Sequence, residues 1–446
     1  MNGCVRQCMR ITGGVPLFGT VRASGSKNAA LPIMAATILA DGPVTLSRVP
    51  NLTDIDTLAL LLGHLGLETK RDAAGRLRIA TVDRGPTLAN HELVGRMRAS
   101  FCVLGPLLAR RGRAIVSLPG GCAIGCRPVD LHLKGLAALG AEICIERGYI
   151  IARAERLRGA RISLAGPHGP TVTGTANVMA AAALARGHTT ITAAAREPEI
   201  VDLGRFLNAL GAKIEGLGTS TIDVTGVEQL GGADYQVIPD RIETATLLIA
   251  AAMTRGSIQV TGVVPSHLTT VLRTLDAAGA TLEVAPDRIS LAMPENPRAF
   301  KAMARPYPRI PTDVQAQLMS LASLARGRSR LADHIFPERF QHVAELIRLG
   351  AVIERRGDRA TVTGVDSLTG TEVTSSDLRA CAALVLAGLA ARGTTVVRGI
   401  DHLDRGYEQL DAKLNKLGAR IERMTDNESA PCERRRPLAC HSPVAA

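Results

Sequence analysis

Apolar positions along the chain follow two alternating periods. In DLGRFLNALGA the apolar Leu203, Phe206, Leu207 and Leu210 recur at spacings of three and four, the stripe by which an amphipathic helix buries one face. In ATVTGVDSLTGTEV apolar and polar residues alternate and turn residues intervene, which predicts strands joined by loops. The two patterns recur together. An apolar segment ends in a turn of the LA-x-G kind, a β-like run follows, and then an amphipathic helix closes on a glycine before a second β-like run. The turns end at Gly42, Gly112, Gly187, Gly256, Gly327 and Gly393, and the helices at Gly66, Gly140, Gly211, Gly279, Gly350 and Gly418. The period is roughly 70 residues, too long for solenoid repeats, which run to about 50. A glycine after each helix supplies a left-handed cap, and KIEGLG or TLEVAP begins the next strand. Each unit therefore predicts strands and two helices, and six units predict two pseudo-symmetric halves of three units, with a ligand in the cleft between them.

At 446 residues the chain can hold more than one core. Its nine cysteines are an odd number, and the opening MNGCVRQCMRITGG lacks the apolar stretch of a signal peptide, so a reducing cytoplasm is expected. No apolar run reaches membrane-spanning length. The pairs Cys4/Cys8 and Cys122/Cys126 share a C-x3-C spacing, but nothing completes a tetrahedral zinc site, so no metal is expected. A formal charge of +12 points to an anionic partner: nucleic acid, a phosphorylated metabolite or an acidic surface. With no Trp, four Tyr and six Phe, the chain offers few platforms on which bases could stack, which argues against nucleic acid. Part of the positive charge lies in the tail CERRRPLACHSPVAA, a composition expected to be solvated and disordered over 427–446.

Three stretches carry candidate chemistry. In LPGGCAIGCRPVDLH, Cys122 read alone is a small buried hydrophobe, but two preceding glycines and the nearby Arg127, Asp130 and His132 suit a reactive thiol on a closing loop. Asp313 in PTDVQAQ reads either as a helix-start residue or as a carboxylate aimed into a cleft. Lys27 in SGSKNAALP follows a glycine that lets amides approach a phosphate, although the Walker spacing is absent. Any one arginine of this Arg-rich chain reads by default as a surface charge, and His132 as a structural histidine.

Taken in order, SGSKNAALPI, MRAS, PGGCAIGCRPVDLHLKGL, AREPEIVD, PDRIET, PTDVQAQ, SSDLRA and DRGYEQL resemble the motif set of the UDP-N-acetylglucosamine 1-carboxyvinyltransferase family, the enolpyruvyl transferases of peptidoglycan synthesis. The resemblance runs from about Ile11 to Arg423. It implies an α/β fold, the inside-out α/β barrel of two pseudo-threefold domains. The first domain would be residues 27–238 and the second 239–426, with 1–26 part of the second. It implies transfer of the enolpyruvyl group of phosphoenolpyruvate to a hydroxyl of a uridine nucleotide with release of phosphate. Cys122 would be the acid that protonates C3, able also to form a covalent adduct, and Asp313 the acceptor of the hydroxyl proton. Lys27, Asn28, Arg127, Arg339, Arg379 and Arg405 would hold phosphoenolpyruvate, since guanidinium forks match phosphate and carboxylate. Arg98, Pro128, Val129, Asp130, Leu131, Thr171, Val172, Asp313 and Ile335 would meet the acceptor nucleotide. Asp377, Asp240 and Glu197 would support them, Asp377 by orienting Arg379. The family's chemistry needs no cofactor, an electrostatic cradle standing where other enzymes use magnesium. No nucleic-acid or membrane partner is implied, and oligomeric state is not legible.

Three departures fall near the expected acceptor pocket. Pro337 and Glu338 replace the family's usual Glu-Asn before the arginine, and Arg309 and Ile310 replace a small residue and Phe. AGPHGPTVTGTANVM has extra length, no lysine near the uracil and Ala176 where Glu is frequent. Two acceptors therefore stay open: UDP-N-acetylglucosamine in wall synthesis, or another uridine nucleotide such as UMP at its 3'-hydroxyl in nucleoside-antibiotic synthesis.

Overall fold

Six four-stranded sheets share one topology in the computed structural model, which describes residues 7–119 and 128–425. In each sheet a first strand pairs parallel with a second, which pairs antiparallel with a third, which pairs antiparallel with a fourth. The strands Lys301–Ala304, Arg328–Asp333, Arg359–Thr363 and Val352–Arg356 are one example. The antiparallel pairs can close through tight turns, whereas the parallel pair needs a helix-bearing crossover. That requirement is the physical origin of the long repeat.

Six inner helices pack beneath the sheets: α1 (Lys27–Ala36), α2 (Leu104–Arg111), α3 (Val172–Ala182), α4 (Arg241–Met253), α5 (Thr312–Ala322) and α6 (Leu378–Ala390); α2, α3, α5 and α6 are crossovers within one sheet, whereas α1 and α4 lead from one sheet into another. Segments such as TATLLIAAAM and ACAALVLAGLA are apolar all round because these helices are buried all round. The outer helices, among them Thr53–His64 and Pro198–Ala209, bury one face only, as the stripe in DLGRFLNALGA requires. α4, α5 and α6 pack on one another; in the other half α2 packs on α3, and α1 on the turn Arg98–Val103 that leads into α2. Buried apolar residues fall into two clusters, one drawn from residues 29–237 and the other from residues 9–23 and 242–421. Among the described residues no helix is long and apolar enough to cross a membrane.

All six glycines that close the outer helices have positive φ, from +80° at Gly66 to +106° at Gly211, as the cap pattern predicts. Of the six LA-x-G glycines only Gly112, Gly187, Gly327 and Gly393 do so. Gly42 and Gly256 are needed for space instead: a Cβ would lie 2.9 Å from the Gly232 nitrogen and 2.1 Å from the Leu17 oxygen, respectively. Both stand where a distant segment returns to supply a sheet's parallel strand. Ala233–Gln236 completes the sheet of Val44–Ser47, and Phe18–Arg22 completes the sheet of Ser257–Thr261. The strand Gln7–Thr12 lies between Thr394–Arg398 and Arg420–Thr425. The chain thus passes between the two clusters twice, at residues 23–26 and 237–240. There the segments run side by side, Ser26 donating to the Ile238 carbonyl at 2.7 Å and Asp240 to that of Ser24 at 2.9 Å.

Candidate active site

The N-termini of the inner helices carry the chemistry. Lys27 is the first residue of α1, Asp313 and Arg379 are second in α5 and α6, and Asp240 caps α4 through bonds from Ile242 at 2.7 Å and Glu243 at 3.0 Å. The positive ends of four helix dipoles favour anions here, and the cationic side chains placed there add to that field.

Two carboxylates organise the cations. Asp313 accepts from Arg339 at 2.8 Å on one oxygen, and from Arg379 at 3.0 Å and Asn28 at 3.2 Å on the other. Asp54 holds Lys27 Nζ at 2.7 Å and Arg405 Nε at 2.9 Å. The adjacent residues Lys27 and Asn28 therefore reach one carboxylate each. Arg379, Arg339 and Lys27 are buried, with 4%, 7% and 10% of their side chains exposed. Burial would lift the Asp313 carboxyl, but Arg379 and Arg339 override it and hold it well below the usual carboxylate range. Burial lowers the Arg379 guanidinium, yet Asp313, Tyr407 and Asp240 together more than offset this and raise it. Lys27 is lowered by burial and by Arg379 and Arg405, while Asp54 works the other way. Burial raises Asp240 despite nearby Arg379.

Around this cluster a second layer fixes the guanidinium planes. Thr312 accepts from Arg339 at 3.1 Å and donates to Asp333 at 2.6 Å, whose other oxygen binds the amides of Ile335 at 2.9 Å and Phe336 at 2.8 Å. Arg379 lies 5.2 Å over the Tyr407 ring, and Tyr407 in turn meets Thr246 at 2.9 Å and Gln317 at 3.0 Å. The Nε atoms of Arg339 and Arg379 are buried and have no hydrogen-bond partner among the described residues. A buried unsatisfied guanidinium donor is costly and marks a place where an anion fits. The four cations outnumber Asp313, Asp54 and the nearby Asp240, leaving the cluster positive enough to receive a phosphate or a carboxylate.

The sequence-predicted residues divide accordingly. Lys27, Asn28, Asp313, Arg339, Arg379 and Arg405 come together, Arg405 on Asp54 and not on Asp313. Asp377 caps α6 by binding the amides of Arg379 at 2.8 Å and Ala380 at 3.1 Å, so it positions Arg379 through the backbone. Glu197 precedes the helix Pro198–Ala209, is raised by burial, and accepts from the Tyr307 amide at 3.4 Å. Arg98 donates to the Pro128 carbonyl at 3.2 Å; Val129 and Asp130 lead into the helix Asp130–Ala138. Leu131 of that helix abuts Gly166, in the short hairpin Ala165–Gly166/Gly169–Pro170 that precedes Thr171. Thr171 caps α3 by accepting from Gly174 at 3.2 Å, and Val172 is partly exposed. His132 is a buried tie, bonded to Thr173 at 3.1 Å and Asn177 at 2.9 Å and set edge-on to Phe101. Cys122 and Arg127, like Cys4, Cys126 and the tail 427–446, lie outside the described residues.

Asp54, Thr312 and Asp333 were absent from the sequence reading. Their partners lie 21 to 351 positions away, and NLTDIDTL by itself reads as an ordinary helix start. Of the departures, Ile310 and Ala176 are buried members of the two apolar clusters.

Repeated sheets around buried helices whose starts meet at a cationic cluster define an anion-binding α/β protein. A sequence model of EPSP synthase (3-phosphoshikimate 1-carboxyvinyltransferase) matches residues 11–427, and the chain belongs to this family of enolpyruvyl transferases. It is 49% identical over 416 residues to the UDP-N-acetylglucosamine 1-carboxyvinyltransferase of Halorhodospira halophila (strain DSM 244 / SL1), covering 93% of this chain and 99% of that one. Its fold is similar to the crystal structure of the enolpyruvyl transferase NikO from Streptomyces tendae, with a TM-score of 0.85 and 26% identity over 95% of this chain and 100% of that one. EPSP synthase from Acinetobacter baumannii shares the fold, with a TM-score of 0.71 at 21% identity over 94% of this chain and 100% of that one.

Proposed function

We propose that the protein transfers the enolpyruvyl group of phosphoenolpyruvate to a hydroxyl of UDP-N-acetylglucosamine, releasing phosphate, as the first committed step of peptidoglycan synthesis in the cytoplasm. The observation that carries this reading is the 49% identity to a UDP-N-acetylglucosamine 1-carboxyvinyltransferase over nearly the whole of both chains. A cationic cluster with buried, unsatisfied guanidinium donors supports it. The architecture we infer is two domains, 27–238 and 239–426, each an inside-out barrel with pseudo-threefold symmetry and residues 1–26 assigned to the second. Six sheets of one topology and two separate apolar clusters support that division.

In the proposed reaction Cys122 gives its proton to C3 of phosphoenolpyruvate, and the acceptor oxygen bonds to C2 as its proton passes to Asp313. A C3 proton then returns to the Cys122 thiolate as the bond from C2 to the phosphate oxygen breaks, the released phosphate takes the proton from Asp313, and an enol ether and inorganic phosphate result. Asp313 is a poor base while two guanidinium groups hold it far below its ordinary range. A phosphate or carboxylate that draws donors from Arg339 and Arg379 raises its basicity, so binding of the donor substrate prepares the base. Arg98, Pro128, Val129, Asp130, Leu131, Thr171, Val172 and Ile335 are proposed to meet the nucleotide.

Transfer to another uridine nucleotide is the second reading. It is favoured by Arg309 and Glu338, exposed residues unlike the family pattern. A phosphate-release assay with phosphoenolpyruvate and UDP-N-acetylglucosamine, UMP, UDP or uridine separates the two. Turnover with UMP but not with the UDP-sugar would overturn the first.

A further inference from the structure

Asp54 has no place in the motif set, yet it is the only carboxylate among the described residues that an ion pair joins to both Lys27 and Arg405. It stands in the first turn of the helix Thr53–His64 with 4% of its side chain exposed. Its two oxygens are divided, one on Lys27 from the first apolar cluster's side and one on Arg405 from the second's. Arg405 also donates to the Arg96 carbonyl at 3.2 Å, so its fork is steered on two sides by the opposite half. We infer that Asp54 is a positioning residue for the phosphoenolpyruvate site, aligning Lys27 with Arg405. This inference rests on the proposed reaction.

The electrostatics give it a sign. The charged groups facing Lys27 are Asp54, Arg379 from α6 and Arg405 beyond the short helix Asp401–Asp404, while Asp240 accepts the Lys27 backbone amide at 3.3 Å. Burial, Arg379 and Arg405 all disfavour the ammonium form, and Asp54 is the largest influence in its favour. A neutral residue at position 54 therefore lets Lys27 lose its proton at lower pH. A neutral residue at position 405 removes a repelling cation and has the opposite effect. A residue that merely supported the fold could not produce shifts of opposite sign.

The chain has only seven lysines, so Lys27 can be followed by carbon-13 labelling at lysine Cε, with Lys27→Arg assigning its signal. The Lys27 titration midpoint is expected to fall by at least about one pH unit in Asp54→Asn, to rise in Arg405→Gln and to stay near wild type in Asp54→Glu. The KM for phosphoenolpyruvate should climb with pH from a lower pH in Asp54→Asn than in wild type, with kcat less affected. Coincident Lys27 titrations in wild type and Asp54→Asn, or shifts of the same sign in Asp54→Asn and Arg405→Gln, would overturn the inference. The titration needs no turnover, so it is decided even if the acceptor panel gives no product and the proposed reaction falls. If Asp54→Asn does not fold, the same Lys27 titration in Asp54→Ser decides, a midpoint unchanged from wild type overturning the inference.

Discussion

Replacing Asp313 by asparagine keeps the shape of the side chain and removes the charge that two buried guanidinium groups share. Arg339 and Arg379 donate to it at 2.8 and 3.0 Å with 7% and 4% of their own side chains exposed. Removing one partner of a buried ion pair costs about 3–5 kcal/mol, because the remaining charge stays buried without compensation. Asp313 keeps 24% of its side chain in contact with solvent, so the lower end, about 3 kcal/mol, is expected. The midpoint of urea unfolding, followed by circular dichroism, reads this loss directly. Inorganic phosphate should protect the variant more than the wild type, since it meets no competing carboxylate; ten times its dissociation constant contributes about 1.4 kcal/mol by mass action. The pH dependence follows from the depressed carboxyl. A group with a lowered folded-state pKa stabilises above its unfolded value, near 3.9, and loses that contribution as pH falls through the folded value. The gap between wild type and variant should thus be constant above about pH 5 and shrink below about pH 4. Turnover should fall by about two to four orders of magnitude. Equal unfolding midpoints, with equal protection by phosphate, would refute the view that the carboxylate stands in for the substrate anion.

Three further outcomes are expected. His342 is buried and pushed down to about 4, mainly by desolvation, so it protonates in the unfolded chain near 6.5 but not in the folded one. Stability should therefore drop as pH falls from 6.5 towards 4, by up to about 3 kcal/mol, and urea titrations of His342→Asn should show a flatter profile over that window. Cys122→Ala should abolish turnover, and the epoxide antibiotic that alkylates the family's cysteine should label Cys122 with acceptor present, as mass spectrometry of the peptide would reveal. Arg241→Met should destabilise by about 3–5 kcal/mol, because Glu199, which Arg241 grips at 2.9 Å, would remain buried and unpaired; calorimetry would show the lower melting temperature.

The repeat was readable because its period is local. Apolar spacing gave the helix in DLGRFLNALGA, and each glycine that ends an outer helix has the backbone only glycine adopts freely. What stayed hidden was pairing at long range. Nothing local reveals that Gly42 is small for the sake of Gly232, or that Asp54 answers Arg405 across 351 positions. The cationic residues themselves were legible through their motifs. The carboxylates that hold them were legible only where a motif happened to include one, as PTDVQAQ does for Asp313.

The order of sheet assembly sets a constraint on synthesis. All three sheets around the first apolar cluster draw their strands from between residues 44 and 236, so that half can be complete while the ribosome is still at work on the remainder. Gln7–Thr12 must meanwhile wait, because its neighbours Thr394–Arg398 and Arg420–Thr425 are among the last segments to emerge. Among the described strands the first in sequence is thus one of the last to find its place, and removing residues 7–22 would leave the first half whole while taking a strand out of each of two distant sheets.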